Sequence, residues 1–294
     1  MLNGIDGVRT LKVVFFFFII LLMASKVYAA QSTITEAEGY ACMGYDKSRK
    51  LTEAEALTNA KRTAVEYAST YLKSQTTVRD FQLEKDIIDA YANAAVRIIQ
   101  EMEKKWYQDE KSGDCFKIKI KAEVIPDEKA VSSRASDKSP IDNPALPLYV
   151  SLWTDKKEYK LGEKIKIYIK GNKPFFARVL HRSVKGNMLQ LLPNPYRTEN
   201  YFNGGVIYEI PAGNDQFELE VSHPLGEEQI ILYASTSPLG DLSLQEEGAL
   251  YLVKTSSRDI GTKTRGVKLK VKSDLDKPSA SEFFEEKAKL KTGQ

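Results

Sequence analysis

Histidine and cysteine are scarce in this chain, whose 294 residues include two of each. Three common catalytic patterns are also absent: the zinc-binding H-E-x-x-H, the nucleophile elbow G-x-S-x-G and the phosphate loop G-x-x-x-x-G-K-[ST]. A Ser-His-Asp set is spatial rather than sequential, yet nothing in the sequence places Ser183, two residues from His181, near an acid. The sequence therefore predicts no catalytic residue, no metal site and no cofactor, although its many carboxylates leave a glycosidase-like pair open.

Long apolar runs are also rare, and the longest, Val13–Met23, has 11 residues. A membrane-spanning helix needs about 20 apolar residues, whereas a signal-peptide core has roughly 7–15. Basic Arg9 and Lys12 precede the run, and Val27-Tyr28-Ala29 places small or medium side chains before a cleavage point. We predict that residues 1–29 are a signal peptide and are removed.

Cleavage before Ala30 would send the mature protein to the periplasm of a bacterium or outside the cell. The alternative is an uncleaved leader that anchors the chain in a membrane, with its helix extended over residues 11–30. The formal net charge is +3 and most of it lies in the leader, so the mature part is nearly neutral. This balance argues against nucleic acid or an anionic surface as the main partner.

The two cysteines, Cys42 and Cys115, are predicted to form a disulfide, because an even count in an exported chain indicates bonded pairs. They lie 73 positions apart, and closing a loop of that length stabilises the folded state by about 4 kcal/mol. A metal pair or a reactive thiol is the alternative, but the sequence has no C-x-x-C and no nearby histidine to support either.

Residues 30–125 are predicted to form an α+β domain with helices on a small antiparallel sheet. The stretch LTEAEALTNAKRTAVEYASTYLKS predicts a long helix that begins at a capping box formed by Thr52 and Glu55. Its apolar side chains recur at helical spacing and form one stripe: Leu57, Ala60, Ala64, Val65, Ala68, Tyr71 and Leu72. A second helix is predicted from about Leu83 to Asn93.

The strands of this domain follow from alternation. Ile34–Ala41 predicts a first strand, and CFKIKIKAEV alternates apolar and charged side chains in the manner of a half-buried strand. Apolar residues from Val96 to Trp106 lie at even spacing before a Ser112-Gly113 turn, so the two segments predict a hairpin. The alternative for the first arm is a continuation of the second helix.

Composition changes after residue 125. Residues 126–147 combine Pro, Ser and charge with almost no large apolar residue, which predicts a linker. Residues 148–255 contain short apolar runs separated by Gly, Asn, Pro and Asp, and this spacing predicts an all-β sandwich domain.

Residues 256–294 are predicted to be a basic C-terminal extension. GVKLKVK alternates as a strand, and SASEFFEEKAKLK opens with a possible capping box of Ser279 and Glu282, which predicts a short helix. The alternative places Ala288 and Leu290 on an edge strand.

The connection LPNPYRTENYFNGG, residues 192–205, is long for a β-domain, and long connections are often functional. Aromatic faces beside amide and guanidinium donors suit recognition of a sugar or a peptide. The candidate binding residues are Tyr196, Arg197, Asn200, Tyr201, Phe202 and Asn203. The alternative is that these aromatic rings fold back and cover the open end of the sandwich.

The stretch from Leu148 to about Ser237 resembles the bacterial family catalogued as domain of unknown function 4384. The matching motifs are YKLGEKIKIYI, LQLLPNP, YEIPAG and HPLGEEQIILYAS. The resemblance implies a β-domain outside the cytoplasm, often attached to other modules, and no particular activity. Residues 31–125 resemble, in their order of strand, Ala-rich helix and strands, the N-terminal domain of flagellar assembly protein T and small envelope lipoproteins.

Together these observations predict a non-catalytic, exported envelope protein that serves as a binding or adaptor module for a protein or cell-wall glycan. The alternative function is a cell-wall-directed hydrolase with an unrecognised carboxylate site. The absence of a nucleophile, metal or phosphate motif favours the first.

Overall fold

The computed structural model describes residues 30–75, 89–127, 139–248, 250–266 and 280–294. The predicted signal peptide lies outside these ranges. So do most of the predicted second helix, the middle of the predicted linker and nearly all of the GVKLKVK strand. Within the described part of the chain, no helix is both long enough and apolar enough to cross a membrane.

The described residues are mostly β-strand. The strands are β1 (Ala30–Cys42), β2 (Ala95–Asp109), β3 (Gly113–Ile125), β4 (Val150–Thr154), β5 (Glu158–Lys160), β6 (Ile167–Gly171), β7 (Phe175–Arg182), β8 (Met188–Leu192), β9 (Tyr201–Phe202), β10 (Ile207–Ile210), β11 (Glu227–Ser235), β12 (Leu244–Glu247), β13 (Leu250–Val253) and β14 (Ala280–Gly293). Helix α1 spans Arg49–Gln75, α2 spans Ser257–Thr264, and a 3-10 helix spans Pro140–Asp142. Residues 89–92 are also helical.

One large sheet runs through the molecule in the order β12-β13-β8-β7-β11-β14-β1-β3-β2, with β5 joined to β14 and β9 joined to β7. A second, three-stranded sheet has the order β10-β6-β4. In the large sheet β14 pairs antiparallel with β1 on one side and with β11 on the other. The N-terminal strands and the β-domain therefore share a continuous ladder of backbone hydrogen bonds, rather than forming a separate small sheet and a separate sandwich.

The predicted helix in the C-terminal segment is wrong, because residues 280–293 form β14. Ser279 and Glu282 have the spacing of a capping box, but that signal is local and weak. Phe283 and Phe284 are both buried, on opposite faces of the strand. Pairing on both edges and burial on both faces outweigh the local preference for a helix. The strand is interior to the sheet, so the edge-strand alternative also placed it wrongly.

The long N-terminal helix is confirmed as α1, but its start differs from the prediction. The helix begins at Arg49, before the expected capping box. Ser48 supplies a capping contact, since its Oγ accepts a hydrogen bond from the Leu51 N–H at 3.3 Å. Glu55 forms an ion pair with Lys47 at 2.6 Å.

Helix α1 packs on one face of β1 and β3 through a row of small side chains. Ala56, Ala60, Ala64 and Ala68 recur every four residues and are fully buried. Opposite them, a Cβ added to Gly39 would lie 2.2 Å from both the Ala56 carbonyl oxygen and the Ala60 nitrogen. The helix backbone thus approaches the sheet closely because neither surface carries large side chains there.

The hairpin of β2 and β3 and the disulfide are both confirmed. Cys42 and Cys115 lie directly opposite each other in the pairing of β1 with β3, and the structure bonds them with their Cα atoms 3.9 Å apart. The bridge therefore ties the two strands together at one end of the sheet.

Farther along the same face of the large sheet, the three-stranded sheet packs on β7, β11 and β14. Ile167, Ile169, Phe175, Leu232 and Phe284 belong to the shared apolar core. This part of the molecule has the two-layer arrangement expected for residues 148–255, but one of its layers continues into the N-terminal strands.

Helix α2 covers the opposite face of the large sheet and is fixed there by buried charges. Arg265, just after the helix, donates from Nε to Glu123 at 2.6 Å and from Nη2 to Glu285 at 3.0 Å. Ser32 also donates to Glu123, at 2.7 Å, and the guanidinium of Arg265 lies 4.2 Å from the ring centroid of Phe283. These hydrogen bonds to Glu123 and Glu285 thus connect α2 with β1, β3 and β14.

Candidate ligand-binding cleft

The predicted recognition loop, residues 192–205, is a structured turn. Asn194 is buried, and its side chain accepts from the Tyr196 and Arg197 N–H groups while donating to the Leu191 carbonyl. Arg197 is also held in place, because Nη1 contacts Asp215 at 2.9 Å. Two of the loop's polar side chains therefore serve its own conformation.

The aromatic rings of the loop have different environments. Phe202 is only 2% exposed and lies near Phe175 and Tyr208, with ring centroids 5.5 and 4.8 Å away. Tyr196 and Tyr201 are 54% and 47% exposed. Phe202 therefore covers the core, as the alternative interpretation expected for all the aromatic rings of the loop. Tyr196 and Tyr201 instead expose part of their ring surface.

The remaining predicted residues are Asn200 and Asn203. The backbone N–H of Asn203 donates to the Tyr208 hydroxyl at 3.0 Å, and Asn203 is exposed. Asn200 lies at the wall of a cleft of about 490 Å³, on the face of the large sheet that α2 covers farther along. Among the six predicted site residues, Asn200 is the one that lines this cleft.

Three neighbouring strands form the floor of the cleft. Arg178 lies on β7, Gln190 on β8 and Tyr251 on β13. Gln190 is opposite Tyr251 and opposite Leu180, two residues from Arg178, so all three side chains project from the same face. The walls come from residues 193–200 and 238–244.

Arg178 is 6% exposed and donates from Nη1 to the Gly240 carbonyl at 2.7 Å. Its Nε has no hydrogen-bond partner among the described residues. Burial lowers the pKa of Arg178 to about 10, although the charges of Asp241 and Tyr233 act in the opposite direction. A buried donor left unpaired costs about 1–3 kcal/mol, so the molecule holds this guanidinium at the expense of stability.

Gln190 is 1% exposed and presents a complementary free acceptor. Its Nε2 donates to the Pro193 carbonyl at 2.8 Å, while Oε1 has no partner in the part of the chain that the structure describes. The carbonyl can only accept, so the atom facing it must be the amide nitrogen and the free atom must be the oxygen. The residues of the cleft floor therefore include one unpaired donor atom and one unpaired acceptor atom among the described residues, and both atoms are shielded from solvent.

Sequence reasoning missed both Arg178 and Gln190. A polar residue in an apolar strand run such as FFARVLH or NMLQLL is the available signal, because such a strand is buried on both faces. The signal identifies a buried polar residue, but it cannot show that two of them meet at one cleft.

His181 has an acidic neighbour that the sequence did not indicate. Its Nε2 lies 2.7 Å from Glu228 Oε2 across the pairing of β7 with β11. Ser183 Oγ is buried, borders a second cavity of about 460 Å³ and has no hydrogen-bond partner among the described residues, so it is not bonded to His181. No group of three or more His, Cys, Asp or Glu side chains in the described ranges is placed to hold a metal ion.

Comparison with protein families gives one match. Residues 158–238 match the family described as domain of unknown function (DUF4384), which confirms the resemblance of this part of the chain. The matched segment contains β7 and β8, and thus Arg178 and Gln190, but β13 and residues 239–244 lie beyond it. No curated protein and no solved structure matches the chain. No comparison matched residues 31–125, so the N-terminal resemblance stays a prediction.

Proposed function

We propose that this chain is a non-catalytic, exported envelope protein that binds a partner molecule through the cleft floored by Arg178, Gln190 and Tyr251. Export is supported by the signal-peptide pattern and, more weakly, by the bond between Cys42 and Cys115. The finer resemblance of the N-terminal region to envelope proteins is consistent with this location.

One observation carries the binding role: two buried side chains at the floor of one cleft each have a hydrogen-bonding atom that no described residue pairs with. Buried polar atoms in native proteins are almost always paired, and exceptions occur at functional sites. A concave, partly apolar pocket with a few converging polar groups is the usual form of a ligand site. The cleft of about 490 Å³ is large enough for a small molecule or one unit of a polymer.

The test is to block the cleft without disturbing its floor. Thr198 is exposed and lines the cleft, whereas its neighbour Glu199 is exposed and does not line it. Thr198→Trp should fill the cleft, and Glu199→Trp places the same side chain outside it. Tagged, exported protein is cross-linked in its own envelope and purified with whatever it holds.

We expect wild type and Glu199→Trp to retain the same partner and Thr198→Trp to lose it, with equal melting temperatures for the three proteins. Capture that is the same for both variants would overturn the binding role of the cleft. Release of soluble fragments from isolated cell walls by purified wild type would instead favour the hydrolase. Recovery of the protein only from the cytoplasm would contradict export.

A further inference from the structure

We propose that the partner is a protein, and that it adds an extended segment bearing lysine or arginine to the free edge of β12, beside the cleft. This inference rests on the proposed binding function and adds the chemical class of the partner. Within the described ranges β12 pairs with β13 and ends the large sheet on that side. An unpaired strand edge presents backbone donors and acceptors that a partner strand can use.

The backbone groups that face this edge belong to Leu244 and Glu246. The Lys254 N–H donates to the Ser243 carbonyl at 2.8 Å, in the register that continues along β12 and β13. Opposed residues of an antiparallel pair alternate between hydrogen-bonded and non-hydrogen-bonded positions. Leu244 and Glu246 therefore occupy non-hydrogen-bonded positions, and their N–H and C=O groups point away from β13. These groups are the donors and acceptors available to a partner strand.

The side chains of the same two residues connect the edge with the cleft. Leu244 is 36% exposed and lines the cleft. Glu246 projects from the same face and lies opposite Tyr251, another residue of the cleft. Every second side chain of a segment paired with β12 therefore lies on the cleft side of the sheet, next to Leu244 and Glu246. A large residue placed in the cleft and a blocked edge should affect the same partner.

The charge of the edge selects the side chains of the partner. Strand β12 carries Glu246 and Glu247, which are both exposed, and it has no lysine or arginine. The two acids are consecutive, so one lies on each face of the strand. Opposite charges across paired strands are stabilising and like charges are destabilising, so a basic segment fits both faces. A second copy of β12 would bring these carboxylates close to each other, which disfavours self-pairing.

The strand at the other end of the large sheet, β2, is a less suitable edge. Its pairing with β3 shifts register twice, at residues 98–100 and 101–103, and Lys104 and Lys105 follow. Bulges and lysines are common features of strand edges that do not accept another strand. The pairing of β12 with β13 has no register shift. The edge beside the cleft is therefore the better template for a partner segment.

The experiment is an NMR titration of the isotope-labelled, exported protein with three blocked peptides. The first, TVKKVT, places one apolar and one basic side chain on each face of an extended strand. The second, TVEEVT, replaces its lysines by glutamates, and the third is TVKKVT with every backbone nitrogen methylated. We expect TVKKVT to shift the backbone N–H signals of Leu244 and Glu246. TVEEVT should bind about tenfold more weakly because of its charge, and the methylated peptide should not bind, because it has lost its main-chain donors.

Three variants test the edge and its charge separately. Leu244→Pro removes the outward N–H at the first residue of an edge strand, where proline is tolerated, whereas Leu244→Val keeps this N–H. We expect Leu244→Pro to lose TVKKVT and Leu244→Val to retain it. Glu246→Lys should weaken the binding of TVKKVT and strengthen that of TVEEVT, an exchange of preference that a purely structural role of Glu246 would not produce. Before peptide is added, the signals of β11 and β14 report whether the sheet of each variant is intact.

Equal binding of TVKKVT and TVEEVT, binding of neither, or shifts confined to β2 would overturn the inference. A wild-type dimer that Leu244→Pro converts into a monomer would also overturn it, because a second copy would then occupy the edge. If Thr198→Trp loses its envelope partner while neither peptide binds, the peptide inference alone fails. If Thr198→Trp and Glu199→Trp capture the partner equally, the proposed function fails and this inference fails with it.

Discussion

Thr33 lies directly opposite Glu282 in the antiparallel pairing of β1 with β14. Strand β14 continues the sheet on its other side by pairing with β11, where Phe284 is opposite Ala234. Two regions that differ in composition are thus joined by backbone hydrogen bonds. The shared strand makes their stabilities interdependent.

The first prediction is that both regions unfold together. Trp106 lies on β2 and Trp153 on β4, so each region has one fluorescent reporter. Trp153→Phe leaves Trp106 as the reporter, and Trp106→Phe leaves Trp153. In each variant we expect the urea unfolding curve followed by tryptophan fluorescence to coincide with the curve followed by circular dichroism. Separate midpoints within one variant by the two methods would show that the regions unfold independently.

The second prediction concerns Glu282, which is 1% exposed and accepts hydrogen bonds from the Leu148 N–H and from Lys173 Nζ, the latter at 3.0 Å. Glu282→Ala removes this partner of Lys173, whose side chain is 13% exposed, and removal of one member of a largely buried pair costs about 3–5 kcal/mol. Urea unfolding measures the loss. Glu218→Ala, which removes the partner of exposed Lys164, is the control and should change stability little. Equal effects would contradict the burial of Glu282.

The third prediction concerns the close approach of α1 to β1. Gly39→Ala places a methyl group 2.2 Å from helix backbone atoms, so the helix must move away from the sheet. Overpacking of this kind costs about 1–3 kcal/mol or more. Gly213→Ala is the matched control, because a Cβ there meets nothing within 4 Å. Thermal unfolding measures the two melting temperatures. If both variants melted at equally lowered temperatures, the close contact would be contradicted.

The fourth prediction is that the buried and the exposed aromatic residues of the loop at residues 192–205 contribute differently to stability. Phe202→Ala removes a buried ring and should cost about 3–5 kcal/mol. Tyr196→Ala removes an exposed ring and should leave the unfolding free energy nearly unchanged. Denaturant titration of the two single variants measures both values. A stable Phe202→Ala variant would show that the ring does not cover the core.

The fifth prediction is a change in stability at alkaline pH. Burial and the hydrogen bond to Asp155 raise the pKa of Tyr159 to about 12, above its ordinary value of 10.0. The folded state therefore holds this proton more tightly than the unfolded state, and the resulting stabilisation is lost as pH rises from about 10 to about 12. Tyr159→Phe should be less stable than wild type at neutral pH and should lose less stability over that interval.

Urea titrations at several pH values measure this difference. Tyr196→Phe alters an exposed ring and serves as the control, so its profile should follow that of wild type. A Tyr159→Phe profile parallel to the wild-type profile across the alkaline interval would contradict the prediction.

The sequence predicted best the elements whose signals are local and repeated. Helix α1 follows from a long apolar stripe, and the β2–β3 hairpin follows from alternation around a turn. The pairing of Cys42 with Cys115 was predicted from the even count and the predicted export of the chain. The role of β14 could not be predicted, because its conformation depends on strands that are distant in the sequence.

The site was predicted less completely than the fold. The loop at residues 192–205 does border the cleft, but Asn200 is the one predicted residue that lines it, whereas Arg197 holds the loop and Phe202 lies in the core. The polar residues of the floor, Arg178 and Gln190, come from two strands that read as ordinary buried runs. Their meeting at one cleft depends on strand register, which the sequence alone does not specify.

The central place of β14 has a consequence for the order of events during biosynthesis. In the described ranges β14 pairs with β1, β5 and β11, and all three precede it in the chain. A nascent polypeptide that has not reached residue 280 thus has two sheet edges without their native neighbour, and unpaired edges are templates for aggregation. The sheet closes only after translation has passed residue 293, so we expect a shorter nascent chain to depend most on holding chaperones at these two edges.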